Sequence, residues 1–139
     1  MISVYIDGLC EPVNPNGIAT YGFAVYENGK SIAQKYGVVG EGEGMSNNVS
    51  EYAALCEALK QLISLHLDSE EIVIKSDSKL LVNQMNGLWK CHEGYYISKY
   101  DKAKELIKLF RNVHFNWIRR EKNKEADSLS RKAYMEYRK

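Results

Sequence analysis

Cysteine is scarce in this chain, and its spacing suits neither a metal site nor a disulfide framework. Cys10, Cys56 and Cys91 are odd in number and lack metal-type spacing. That argues against a zinc ribbon or a secreted, disulfide-stapled fold and points to reduced thiols in a cytoplasmic protein. Histidine is as sparse, with three in 139 residues. His92 beside Cys91 is a poor zinc chelate, because adjacent side chains do not converge on one ion. No apolar stretch approaches the roughly 18 residues of a membrane span, and the N-terminus lacks a signal-peptide pattern. There is no repeat, linker or low-complexity tract, so residues 1–139 read as one domain, long enough for a real core and too short for two.

What is present is an uneven charge distribution. The formal net charge is +1, yet residues 1–78 carry four basic and eleven acidic groups and residues 79–139 carry fifteen basic and seven acidic. An acidic half joined to a basic half suits a polyanion partner whose phosphates meet the basic half. Solvated helix faces are the plain alternative.

Hydrophobic periodicity supplies the elements. Ile2, Val4 and Ile6 alternate with Ser3, Tyr5 and Asp7, the period of a strand. After a turn rich in Asn, Pro and Gly comes T-Y-G-F-A-V-Y, a second strand. Asn28-Gly29 then signals a hairpin into a third strand over about residues 31–39, because a type I′ turn wants positive φ at both positions. From Val49 the period becomes helical, with Leu55, Leu59, Leu62 and Ile63 on one face, to about His66. Residues 71–76 read as a short buried strand. Ser78 caps a helix that stops at Asn86-Gly87. Tyr100, Ala103, Ile107 and Phe110 mark a third helix, and Val113, Phe115 and Trp117 a fifth strand. Ala126, Leu129, Ala133 and Tyr137 mark the last helix. The order β-β-β-α-β-α-α-β-α implies an α/β protein with a five-stranded mixed sheet, a meander followed by helical crossovers, and helices on both faces.

Four carboxylates stand where such a fold would aim them at one mouth. Asp7 and Asp77 end apolar strand-like runs, Glu51 opens the first helical run after S-N-N-V-S, and Asp127 lies near the start of the last helix. If the strands of Asp7 and Asp77 are parallel neighbours, their ends share the edge where open α/β sheets place ligands. Converging carboxylates repel unless cations sit between them, which is the design of a two-metal phosphoryl-transfer site. Four unrelated surface acids are the alternative.

The flanking segments resemble type 1 ribonuclease H in an archaeal-like form without the basic protrusion. Y-I-D-G-L-C, N-P-N-G-I-A-T-Y-G-F, N-N-V-S-E-Y-A-A-L, K-S-D-S and N-K-E-A-D fall in register over nearly the whole chain. Singly they are weak; five in order are specific. The resemblance implies a ribonuclease H-like fold and an endoribonuclease that hydrolyses the RNA strand of RNA–DNA hybrids with two Mg²⁺ ions, or Mn²⁺ in their place, leaving 5′-phosphate and 3′-hydroxyl ends. Asp7 would bridge both ions, Glu51 and Asp77 would hold the one nearer the leaving group, and Asp127 the one that activates water. A nest of carboxylates without His or Cys selects such hard ions.

Lesser roles follow from the same resemblance. Ser46 and Asn47 fall where the family holds a DNA phosphate. Asn14, Asn48 and Gln84 fall at minor-groove contacts, and backbone groups around Gly8 and Cys10 at the 2′-OH. Turn and cap duty is the alternative for each Asn and Ser. No protein partner or membrane is implied, and a monomer is expected. Double-stranded RNA is an alternative substrate. A hybrid-binding module without activity is an alternative class, though it would be expected to have lost a carboxylate.

Three departures stand out. The loop R-R-E-K-N-K before the last carboxylate lacks the histidine that many bacterial relatives have there. Arg120 is nearest, and since an arginine cannot be a general base near neutral pH, it is expected to bind phosphate. His114 alternates with Val113 and Phe115 as a strand residue. Lys79 stands where glutamine is frequent in the family, which puts one minor-groove contact in doubt or replaces it with a phosphate contact. Only G-L-W-K-C-H-E-G-Y-Y replaces the basic handle, and its Trp89, Lys90, Tyr95 and Tyr96 read either as a surface for the DNA strand or as a small satellite core.

Overall fold

The computed structural model describes residues 1–91 and 93–138; His92, weighed above for zinc, lies outside them. Strands β1 (Ile2–Glu11), β2 (Ile18–Glu27) and β3 (Lys30–Glu41) lead to helix α1 (Asn47–Ser64), then β4 (Glu71–Ser76), α2 (Lys79–Met85), α3 (Ile97–Ile107), β5 (Asn112–Trp117) and α4 (Lys124–Tyr137). A short 3-10 turn, Arg120–Lys122, precedes α4. The order is the one the periodicity implies.

The five strands lie in the order β3-β2-β1-β4-β5. β1, β2 and β3 are antiparallel, whereas β1, β4 and β5 are parallel. Asn28 and Gly29 both have positive φ, 50° and 84°, as the hairpin signal requires. Ile2, Val4 and Ile6 are fully buried and join Leu55, Leu59 and Leu62 of α1 in one core. Truncating any of these leucines to alanine costs about 2–5 kcal/mol, the transfer term plus the cavity left behind. Beside this core Tyr52 stacks on Tyr96, with ring centroids 5.6 Å apart, and meets Tyr100 edge-on at 5.7 Å, which ties α3 to α1.

Two glycines let helices close on β1 and its neighbour from opposite faces. A Cβ on Gly8 would lie 2.4 Å from the Glu51 backbone N, and one on Gly22 would lie 2.6 Å from Leu129 Cβ in α4. The α4 contact is reinforced by Thr20 Oγ1, which donates to the Ser130 carbonyl at 2.8 Å. Helices therefore cover both faces of the sheet.

Some expectations shift in detail. β1 does not end at Asp7: its pairing with β4 stops at Ile6↔Ser76, but its pairing with β2 continues to Glu11. Asp7 thus marks the end of the parallel ladder, not of the strand. α1 begins at Asn47, with Ser46 as its cap, so Glu51 sits in the second turn. Phe110 lies beyond α3, and Tyr137 is exposed rather than on the packed side of α4. The segment between α2 and α3 has no helix among its described residues.

Candidate active site

β1 and β4 are parallel neighbours, so Asp7, just after the last paired residue of β1, and Asp77, just after β4, emerge at one edge. Glu51 reaches that edge from α1 because Gly8 leaves room for the helix backbone. Carboxylate oxygens of Asp7, Glu51 and Asp77 all lie within 4.8 Å of one another. Asp127, in the first turn of α4, lines the same cleft of about 470 Å³. It stands somewhat apart from the trio, and its Oδ1 lies 3.8 Å from Arg131 Nε.

The backbone N–H of Gly8 donates to Asp7 Oδ1 at 3.0 Å and to Glu51 Oε1 at 3.1 Å. This neutral donor fixes both acids. Asp7 is 6% exposed and Glu51 8%. Burial, then the charge of Asp77, pushes the Asp7 carboxyl up to about 7. Burial, then the charge of Asp7, holds Glu51 well above the usual carboxylate range. Asp77 is raised mainly by burial, against the nearby Asn123 amide and the Arg120 guanidinium, which favour its charged form. Such a cluster is uncomfortable when fully ionised.

A hard divalent cation reverses that balance, and the donor set fits one. All the donors are carboxylate oxygens, as Mg²⁺ and Mn²⁺ prefer. Glu51 Oε2 is buried and has no hydrogen-bond partner; an unpaired buried carboxylate oxygen costs free energy unless something positive meets it.

The expected substrate residues divide. Gly8, Cys10, Asn47, Asn48 and Arg120 line the cleft. The N–H of Gly8 is spent on the carboxylates, and Cys10 Sγ is turned to the Val13 carbonyl at 3.3 Å. Asn14 Oδ1 accepts from Asn47 N at 2.9 Å, and Ser46 Oγ accepts from Val49 N at 3.2 Å, so both hold the start of α1. Lys79 lies outside the cleft lining, with its ammonium 4.8 Å above the Trp117 ring. Gln84 does not fit a minor-groove contact in this structure. It is 2% exposed; its Oε1 accepts from Tyr52 Oη at 2.7 Å and its Nε2 donates to Tyr96 Oη at 3.0 Å and the Lys90 carbonyl at 3.3 Å. His114 is exposed on β5 and does not line the cleft. Of the handle replacement, Tyr96 belongs to the core, while Trp89 and Tyr95 are exposed.

Three residues of this edge escaped sequence reasoning. Arg131 lines the cleft and pairs with Glu11 at 3.5 Å as well as Asp127; its place four residues after Asp127 was the available signal. Trp117 Nε1 donates to the Asp77 carbonyl at 3.1 Å and pins the end of β4. Asn123 is buried, and its Nδ2 donates to the Ile6 carbonyl at 2.8 Å; only its place just before α4 hinted at a role.

An α/β sheet of this order with four acids at one edge defines a class, and the comparisons agree with it. Residues 15–133 match the family described as reverse transcriptase-like. YpeP of Bacillus subtilis (strain 168) is 30% identical over 132 residues, covering 94% of this chain and 58% of that protein. The bifunctional protein Rv2228c of Mycobacterium tuberculosis is 33% identical over 122 residues, covering 86% of this chain and 32% of that protein. The chain therefore spans less than two thirds of either relative. The crystal structure of LC11-RNase H1 in complex with an RNA/DNA hybrid, a protein isolated from compost, superposes with a TM-score of 0.89 at 31% identity, covering 100% of both chains. This chain belongs to the reverse transcriptase-like family. It is a ribonuclease H-like domain, similar in fold to LC11-RNase H1.

Proposed function

We propose that this chain is one ribonuclease H domain, a divalent-metal-dependent endoribonuclease that cuts the RNA strand of RNA–DNA hybrids and leaves 5′-phosphate and 3′-hydroxyl ends. The observation that carries the reading is the convergence of Asp7, Glu51 and Asp77 within 4.8 Å, with Asp127 in the same cleft. The likeness to LC11-RNase H1, itself bound to an RNA/DNA hybrid, supports hybrid as the substrate.

Asp7, Glu51, Asp77 and Asp127 would hold two Mg²⁺ ions. Ions bound there supply charge neutralisation at the scissile phosphate and a water of lowered pKa. The chain's own residues do the positioning. Gly8 N–H orients Asp7 and Glu51, and Trp117 steadies the loop carrying Asp77. Arg120 and Arg131 line the cleft beside the acids and would meet backbone phosphates. At the start of α1 in the cleft wall, Asn48 would face the minor groove and Asn47 a phosphate of the DNA strand. Tyr95 approaches Gly44, just before the cap of α1: a Cβ there would lie 3.7 Å from its ring. Tyr95 therefore flanks the rim where Ser46 and Asn47 would meet the DNA strand, and bases or sugars can pack on such a ring.

The test is cleavage of a labelled RNA–DNA hybrid with Mg²⁺, Mn²⁺ or chelator, beside Asp7→Asn. Cutting of the RNA strand only, dependent on the ion and lost in the variant, is expected. Hydrolysis that persists in chelator would reject the reading.

A further inference from the structure

Asn123 is 1% exposed and joins three of the four elements that carry the acids. Its Nδ2 donates to the Ile6 carbonyl in a buried bond of 2.8 Å. Ile6 is the last residue of β1 in register with β4, opposite Ser76, so the amide takes hold where the parallel ladder ends, one residue before Asp7. The same side chain lies near enough to Asp77 to favour its charged form. Its backbone carbonyl accepts from Asp127 N at 3.1 Å and opens α4.

The plain alternative is a helix cap, and the geometry does not match it. A capping Asn turns its side-chain oxygen onto the N–H groups of the first turn, yet Asn123 makes no side-chain cap bond. Its amide faces the sheet instead. Its Oδ1 is buried without a partner. Among the described residues Glu51 Oε2 is the other buried side-chain atom in that state, and both border the acid cluster. Unpaired buried atoms are rare in folded proteins and gather where something else is to be met.

We infer that Asn123 is a positioning residue: by tying the Ile6 carbonyl and the start of α4 beside Asp77, its amide sets the spacing of Asp7, Asp77 and Asp127, and so sets how tightly the four carboxylates hold divalent cations. The inference rests on the function proposed above. Groups that orient metal ligands without touching the ion change affinity by about 10- to 100-fold when removed.

The test is calorimetric titration of Mn²⁺ and Mg²⁺ into the full chain, wild type and Asn123→Ala, with Asp7→Asn as control. The expected result is about a 10-fold or greater loss of Mn²⁺ affinity in Asn123→Ala. Cleavage should be recovered by raising the metal concentration, and KM for hybrid should be unchanged. A folded Asn123→Ala that binds Mn²⁺ within twofold of wild type overturns the inference while leaving the functional reading standing. A wild-type chain that binds neither ion overturns that reading itself. Should the variant unfold, the unmodified chain decides. The side-chain amide resonance of Asn123 must shift along the Mg²⁺ binding curve, and a resonance that stays fixed at saturation overturns the role.

Discussion

Glu51 Oε1 accepts from the backbone N–H of Gly8 at 3.1 Å across 43 residues of sequence, and it can do so only because residue 8 has no side chain. A Cβ at that position would sit 2.4 Å from the backbone of α1, which has no flexible atom to yield. Replacing Gly8 with alanine must push α1 away from β1. The expected cost is about 1–3 kcal/mol, the usual range for overpacking, with loss of metal-dependent cleavage. Urea denaturation beside the cleavage assay checks both, and an unchanged midpoint would show that the helix moves freely.

Asp7→Asn should abolish turnover and yet stabilise the metal-free protein at alkaline pH. The Asp7 carboxyl lies at about 7 in the fold against an ordinary 3.8, so the folded chain keeps a proton that the unfolded chain has released. That contribution is fully present below the unfolded value. It is lost as pH rises from about 4 to about 7, at up to about 1.4 kcal/mol per pH unit. Glu51 is raised in the same direction. The variant should melt above wild type at pH 8 in chelator and level with it at pH 4, and Mg²⁺ should raise the wild-type Tm more than the variant's. Thermal melts at the two pH values decide; a variant that melts much earlier at pH 8 contradicts the account.

Arg120 lines the cleft beside Asp77. If it meets a phosphate, Arg120→Ala should weaken hybrid binding modestly and reduce the slope of log affinity against log salt by about 1. Binding measured at several salt concentrations reads the slope directly, and no change in either quantity returns Arg120 to the solvated surface.

Trp89 and Tyr95 are exposed, Tyr95 to 62%, so truncating them should leave Tm within about 0.5 kcal/mol-equivalent of wild type. Hybrid affinity should fall by about 1–3 kcal/mol per stacked base lost, with kcat at saturation unaltered. Gln84→Ala should do the reverse. It strands the buried Tyr52 hydroxyl and costs about 1–3 kcal/mol of stability without a direct loss of contact to hybrid.

Much of this was legible because the signals are local. Asn28-Gly29 names its own turn, Ser78 caps its own helix, and Ile2, Val4 and Ile6 declare the buried face of β1 by alternation alone. Misreadings came where a distant element decides. Asp7 looked like a strand end, but β2 carries β1 on to Glu11. Glu51 looked like a first-turn residue, but S-N-N offers several capping residues and Ser46 takes the role. Gln84 takes a minor-groove contact by resemblance, and nothing nearby foretells that Tyr52, 32 residues away, supplies its partner. Arg131 and Trp117 are unremarkable in sequence; only the parallel placement of β1, β4 and β5 brings Trp117 to Asp77, and only the seat of α4 brings Arg131 to Glu11.

Gly8 and Gly22 stand either side of Asp7, one its chain neighbour and the other its antiparallel partner, and each admits a helix from a different face. Beside Asp7 both α1 and α4 therefore approach the sheet backbone closely, one from each face. A bulky group at residue 22 would press on α4 and shift Asp127, while one at residue 8 would shift Glu51, so each glycine guards a different acid of the same quartet.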